Sequence, residues 1–391
     1  MAHRILFLDQ FGYLGGAQRV LWETLRSLDA TEYDFCMAIN GPGEFRDTLV
    51  KEKIPVLNLP LGNYHSARKT MPDAARFAVR TLLCTLHLLR QGRKTQWDLL
   101  WANGPRTFIA AVLAGFATGT PVGWHLHNIL TSRTEILLLL IFSRWVKRII
   151  VCSGAAASPL LARRRQLESK IRILYNPHPD WDWAPPVRQA SLLRRKFEMA
   201  DKDYLFGILG RVTPFKGQKD FLFAAARVIK HFPETRFFVI GSPASGDPID
   251  LGYQAQLRQL VDNANLESSV FFIPHQSSVR EYIEGLDAAV MASSGPEALP
   301  QSLIEAMFLA KPVIAPAQGG IPEMINQGVT GLLYPAGDTE ALAGRMLDLL
   351  RCRQWGAQIG LQAREYTLKQ FSRARFQCGI REEISSCLGE A

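Results

Sequence analysis

The sequence has no cysteine pair at metal-ligand spacing. Its six cysteines, Cys36, Cys84, Cys152, Cys352, Cys378 and Cys387, are scattered and none forms a C-x-x-C. That argues against a zinc ribbon and a disulfide scaffold and fits a reducing compartment. Long apolar runs are also lacking. The longest, Ile136 to Phe142, is seven residues, far short of the roughly eighteen a membrane-spanning helix needs. The opening HRILFLDQFG reads as a short strand and a turn, too short for a signal-peptide core. The chain is expected in the cytoplasm. Aromatics are sparse among the arginines, which argues against nucleic acid as a partner, because stacking platforms are missing. Nor is the composition that of a disordered chain: 391 residues, 47% hydrophobic and 21% charged, are enough for two packed cores.

Positive charge is present in excess but unevenly. Residues 1–190 hold 24 Lys and Arg against 14 Asp and Glu, whereas residues 191–391 hold 21 against 22. The whole surplus lies in the first half, which points to an anionic partner there. Two stretches concentrate it. Residues 68–94 carry seven basic residues and one Asp between apolar positions at helical spacing, and residues 144–172 carry eight against one Glu. A basic amphipathic helix suits an anionic membrane surface, and a solvated basic face fits the same pattern.

Short apolar runs such as Ile5–Leu8, Tyr33–Ile39 and Asp98–Trp101 alternate with helical patterns such as Glu44–Lys51 and Thr107–Phe116. Strand and helix in alternation predict a doubly wound parallel α/β domain, with ligands at the carboxyl ends of its strands. Residues 176–190, NPHPDWDWAPPVRQA, have four prolines and little periodicity, so a linker is expected there. A second α/β series follows. The expected organisation is a first domain over 1–180, a linker over 181–190, a second domain over 191–371 and a terminal helix over 372–391 that packs back on the first.

Several stretches carry candidate chemistry. Gly15 and Gly16 stand between a strand and a helix, where the backbone can approach a phosphate or sugar. His125 and His127 end a strand in GWHLHN, two residues apart and so on one side of it. The strand Tyr204–Leu209 runs into GRVTPFKGQKD, whose Arg211 and Lys216 flank a turn and can both reach an anion such as a diphosphate. The stretch Ser294–Ala315 parses as loop, helix and strand. Glu297 lies at the helix mouth and Glu305 a little over one turn inside, beside the N–H groups that favour phosphate. On its own that stretch fits an ordinary amphipathic helix with two solvated glutamates equally well.

Taken together, GGAQRV (Gly15–Val20), WHLHN (Trp124–Asn128), GRVTPFKG (Gly210–Gly217), the E-x7-E of Glu297–Glu305 and GGIPEMI (Gly319–Ile325) resemble the retaining glycosyltransferases of family 4. The resemblance spans nearly the whole chain. It implies the GT-B fold, two Rossmann-like domains facing a cleft, and a metal-independent hexosyltransferase using a UDP- or GDP-sugar and a glycan or lipid-linked acceptor. By that resemblance Arg211 and Lys216 would neutralise the donor diphosphate, with backbone amides near Gly16 and around Leu299, Pro300, Gln301 and Ser302 adding donors. Glu305 would hold the ribose, Glu297 the transferred sugar, and His127 would face that sugar from the first domain. Asn128 stands where the family commonly has an acid. The base pocket would lie near Ile273–His275, with Pro274 where the family often has glycine. The side-chain cations would do the work of a divalent metal, so no cofactor is called for. A hydrolase-epimerase of the same fold would need further acid–base carboxylates near the anomeric carbon. A non-catalytic sugar- or membrane-binding relative would be expected to have lost Arg211, Lys216 or Glu305, and none is lost.

Overall fold

A computed structural model of the chain describes residues 2–62, 71–182, 191–244, 247–276 and 278–390. The chain divides into two units, one of Met1–Pro177 with Arg373–Ala391 and one of His178–Ser372.

The first unit begins β1 (His3–Asp9), α1 (Gly16–Ser27), β2 (Tyr33–Ile39), α2 (Glu44–Lys51), β3 (Val56–Asn58) and α3 (Met71–Lys94). It continues β4 (Leu99–Asn103), α4 (Pro105–Thr118), β5 (Val122–Leu126), α5 (Arg133–Phe142), β6 (Arg148–Val151), α6 (Gly154–Leu161) and β7 (Ile171–Ile173). The seven strands form one parallel sheet in the order β3-β2-β1-β4-β5-β6-β7. Helices cover both faces of such a sheet, so its strands are apolar throughout rather than alternating. Residues Ile5 to Leu8 of β1, all buried, show this.

The second unit contains α7 (Leu192–Lys196), β8 (Tyr204–Leu209), α8 (Gln218–Val228), β9 (Thr235–Ile240), α9 (Pro248–Asn263), β10 (Val270–Ile273) and α10 (Arg280–Gly285). After these come β11 (Ala288–Val290), α11 (Gln301–Phe308), β12 (Val313–Pro316), β13 (Leu332–Tyr334), α12 (Thr339–Arg351) and α13 (Arg353–Gln370). Its six strands are again parallel, in the order β10-β9-β8-β11-β12-β13. Phe206, Phe221, Phe237 and Met346 sit at the centre of its core.

The change of unit falls at His178, a little before the expected linker. The His178 amide donates to the Phe371 carbonyl at 2.8 Å, and both His178 and Trp181 pack on the Phe308 ring. The front of the proline-rich stretch is therefore part of the second unit. Residues 183–190 of the predicted linker and 68–70 of the first basic stretch lie outside the described residues.

The last helix, α14 (Arg373–Leu388), belongs to the first unit. It buries Phe376, Ile380, Ile384 and Cys387 in the same core as Ile5, Phe7, Val20 and Leu21. At its start Arg373 donates from Nε and Nη2 to Glu23 Oε2 of α1, at 3.1 and 2.8 Å. Near its end Glu383 pairs with Arg148 at 3.1 Å. The helix is thus a layer of the first core. Phe376→Ala should cost about 3–5 kcal/mol of stability, read by chemical denaturation, and a loss below about 1 kcal/mol would show that the helix is only a surface appendage.

Candidate functional site

In each sheet the strand order reverses beside its first strand, between β1 and β4 in the first unit and between β8 and β11 in the second. Loops leaving the carboxyl ends of such neighbours run in opposite directions and leave a crevice, the usual ligand position in open α/β sheets. The candidate residues gather at these two places.

In the second unit the loop after β8 passes Gly210 and Arg211 and tightens into a 3-10 turn, Pro214–Lys216. It ends on Gly217 with φ +68, and a Cβ there would meet the Ala292 carbonyl just beyond β11 at 1.7 Å. Only glycine permits that approach. It draws the β8 loop against the loop after β11, where the Ser294 amide donates to the Phe215 carbonyl at 2.9 Å. Lys216 Nζ then lies 2.6 Å from Glu297 Oε1, with both side chains mostly buried. Ser293 Oγ donates to the same Oε1 at 2.8 Å, and the Gly320 amide donates to the Glu297 carbonyl at 2.8 Å. Gln318 Nε2 holds the loop from below by donating to the Ser293 and Gly295 carbonyls. Three sequence motifs, GRVTPFKG, the E-x7-E stretch and the segment opening at Gln318-Gly319-Gly320, thereby converge on the loop that carries Glu297.

Arg211 takes a different partner. Its Nε is 3.7 Å from Asp250 Oδ2 on α9, and the arginine is half exposed while the aspartate is buried. Asp250 Oδ2 also accepts from the Ala244 amide at 3.2 Å. Pro300 caps α11, so the amides of Gln301 and Ser302 belong to its first turn. Leu299 is buried ahead of it, and Glu305 is buried on its second turn. His275 follows β10, exposed, with its amide donating to Ser242 Oγ at 2.9 Å.

In the first unit the register pairs Asp9 of β1 with Asn103 of β4, and Asn103 with His125 of β5, at the carboxyl ends of the three strands. Asp9 is completely buried. Its Oδ1 accepts from Gln18 Nε2 at 2.9 Å and from the Phe11 amide at 2.8 Å, and its Oδ2 accepts from Asn103 Nδ2. Burial pushes the carboxyl up to about 6 against the pull of these bonds. Gln18 in turn accepts the Gly15 amide at 3.2 Å, which spends that glycine's donor inside its own helix cap and leaves Gly16 as the first residue of α1.

His127 lies 2.6 Å from Asn103, Nε2 to Oδ1. Because the Asp9 carboxylate accepts, the Asn103 amide must turn its nitrogen toward it and its oxygen toward the histidine. His127 Nε2 therefore carries the ring proton. Nδ1 is left as a bare acceptor, and it is buried and takes no hydrogen bond among the described residues. Burial lowers the imidazole to about 3, so the ring is neutral near pH 7. His125, fully buried with its ring centre 4.1 Å from that of His127 and edge-on to Trp101, is likewise driven well below its ordinary value, first by burial and then by His127.

The structure thus brings Lys216 and Glu297 together and sets Arg211 on Asp250 instead. Three buried residues without a role in the sequence reading, Asp9, Gln18 and Asn103, order the histidine. Asp9 and Asn103 end the apolar runs ILFL and LLWA, and a polar residue closing a buried strand was the available signal. The chain also holds two Asp-x-Asp triplets, a spacing that holds a divalent metal in many sugar-transfer sites. Asp180–Asp182 lies in the proline-rich stretch, and in Asp201–Asp203 the third residue is used within the fold, accepting the Ala200 amide at 2.8 Å and lying 3.7 Å from Arg236.

Two parallel-sheet units with loops of this kind define the GT-B class. The solved structure of Anabaena HepE in complex with UDP-glucose matches with a TM-score of 0.83 over 98% of this chain and 99% of that one, at 23% identity. The chain belongs to the glycosyltransferases of the group 1 and family 4 type: the family described as glycosyl transferases group 1 matches residues 190–366, and glycosyltransferase family 4 matches residues 14–179. Among curated relatives, the D-inositol 3-phosphate glycosyltransferase of Mycobacterium sp. (strain JLS) is 30% identical over 206 residues, 52% of this chain and 44% of the relative. The N-acetyl-alpha-D-glucosaminyl L-malate synthase of Bacillus anthracis is 27% identical over 184 residues, 47% of this chain and 46% of the relative. The chain matches about half the length of these curated relatives.

The histidine geometry is open to direct measurement. Ring-nitrogen NMR should find His127 protonated at Nε2 and neutral down to about pH 3, with the tautomer lost in Asn103→Ala. A ring proton on Nδ1, or titration near 6.5, would contradict it. In stability the depressed histidine contributes above its ordinary value of 6.5 and loses that contribution as pH falls toward 3, whereas Asp9, raised from 3.8, loses its contribution as pH rises toward 6.

Proposed function

We propose that the chain moves a hexose from a UDP- or GDP-sugar onto a glycan or lipid-linked acceptor, in cell-surface polysaccharide or glycolipid synthesis, with retention at the anomeric carbon and no metal. The observation that carries this reading is the Lys216–Glu297 pair beside the mouth of α11, at the switch crevice of the second sheet. A cation, a carboxylate and a helix N-terminus in one place are what a sugar diphosphate needs: two kinds of donor for the phosphates and an acceptor for hydroxyls. The names of two similar proteins support sugar transfer from a nucleotide-sugar donor, one being a D-inositol 3-phosphate glycosyltransferase and one a structure solved with UDP-glucose.

In this mechanism the incoming diphosphate takes Lys216 from Glu297. One event then supplies a cation to the leaving group and frees a carboxylate for the hydroxyls of the transferred sugar. Arg211 supplies the second cation, and its buried partner Asp250 fixes the guanidinium while leaving it half exposed. As the bond to the sugar breaks, charge grows on the departing phosphate, and preset cations stabilise it without reorganisation. The same phosphate oxygen takes the proton of the acceptor hydroxyl as it attacks from the face the diphosphate leaves. Glu305 is assigned to the ribose hydroxyls, the amides of Gln301 and Ser302 to the diphosphate and the neighbourhood of His275 to the base. His127, held neutral and bonded through Nε2 to Asn103, is assigned to the transferred sugar.

Arg211→Ala and Lys216→Ala should each lower turnover by about 10²–10³-fold with the fold intact by circular dichroism; near-normal turnover in either removes that residue from the diphosphate site. In Glu305→Ala, calorimetry should show weakened binding of the nucleoside diphosphate alone, and unchanged affinity would end the ribose assignment. A thermal-shift series with UDP- and GDP-sugars identifies the base, and the anomeric coupling in product NMR decides retention. Stabilisation by none of these sugars would count against the whole reading.

A further inference from the structure

Phe215, the middle residue of the 3-10 turn between β8 and α8, is left 43% exposed next to Lys216. A single exposed apolar side chain is ordinary, but the contact this one makes is not. A Cβ on Gly295 would meet the Phe215 ring at 2.7 Å from Cε2 and 3.4 Å from Cδ2. The ring edge therefore fills the space that a side chain at 295 would take. Gly295 is not among the glycines of positive φ, so the ring calls for a glycine there and the turn does not.

The same two segments are joined along their backbones. The Ser294 amide donates to the Phe215 carbonyl, and Ser294 Oγ lies 3.3 Å from both the Pro214 and the Phe215 carbonyls. Gln318 Nε2 donates to the Gly295 carbonyl at 3.1 Å. Gly295 is thus held twice, by the amide on its carbonyl and by the ring on its Cα, two residues before Glu297. Lys216 Nζ is 6.0 Å from the centroid of the ring, at the outer limit of a cation–π contact, so the closer contact of the ring is with the loop.

We propose that Phe215 is a positioning residue for Glu297. Seated on Gly295, its ring keeps the loop in place when the incoming diphosphate takes Lys216, so that the carboxylate stays where the hydroxyls of the transferred sugar meet it. The inference rests on the donor reading given above. It concerns the moment at which that reading removes the ion pair across the crevice and leaves the loop to its other contacts. A carboxylate that drifts by an ångström at that moment loses the sugar but not the phosphates.

Calorimetry on the whole chain tests it, with UDP-glucose, UDP-N-acetylglucosamine and GDP-mannose as probes, each against UDP or GDP alone. In F215A the affinity for the sugar nucleotide that the wild type binds should fall at least about tenfold, with that for the matching nucleoside diphosphate unchanged. F215Y, which keeps the ring, should bind as the wild type does. G295A, whose methyl group displaces the ring, should show the same selective loss and carries the test alone if F215A fails to fold. F215A/G295A should be no worse than F215A, because both substitutions break one contact. The proposal is overturned if F215A binds the sugar nucleotide normally, if it loses both ligands equally, in which case the ring serves Lys216, or if the two substitutions add. A wild type that binds none of the three sugar nucleotides overturns the donor reading and this inference with it.

Discussion

A parallel sheet wound outward in both directions from its first strand has one place where neighbouring loops part, and both units of this chain are organised around that constraint. The reversal comes between β1 and β4 and between β8 and β11. Elsewhere in the sheet the connections of neighbouring strands cross to the same face. At the reversal the chain must instead hold two diverging loops together across an opening. The two units do this with different chemistry.

In the second unit the bond across the opening is ionic. Lys216 and Glu297 come from loops on either side and meet at 2.6 Å, both mostly buried. A charge pair in this setting contributes little net stability, because desolvation offsets much of the attraction. In the proposed reaction the diphosphate takes the place of the carboxylate on the lysine, and Glu297 keeps its bond from Ser293 Oγ. The more permanent joints are elsewhere: Gly217 against the Ala292 carbonyl, Gln318 beneath the β11 loop, and Asp250 beneath Arg211.

In the first unit the bond across the opening is a chain of hydrogen bonds. It runs from the Gly15 amide through Gln18 to Asp9, and from Asp9 through Asn103 to His127. The buried carboxylate is the only member that can solely accept, so it sets the direction of every bond beyond it. A strained pKa at Asp9 and a fixed tautomer at His127 are two consequences of the same burial. The glycine pair of GGAQRV and the histidine of WHLHN, far apart in the chain, belong to one network.

Much of this was legible in the chain itself. Alternating apolar runs and helical periods are local properties, and they determined two doubly wound parallel sheets, because a strand buried on both faces and an amphipathic helix each announce themselves within a few residues. The motifs also placed Arg211, Lys216 and His127 after strand ends, and Glu297 and Glu305 at the start of a helix. What only the tertiary structure decided was partnership. That Lys216 meets Glu297 while Arg211 takes Asp250, and that Asp9 and Asn103 share a register, are facts of strand order and loop packing. Sequence carries the chemistry of each side chain, but the distance between residues some ninety positions apart is set by how the sheet closes.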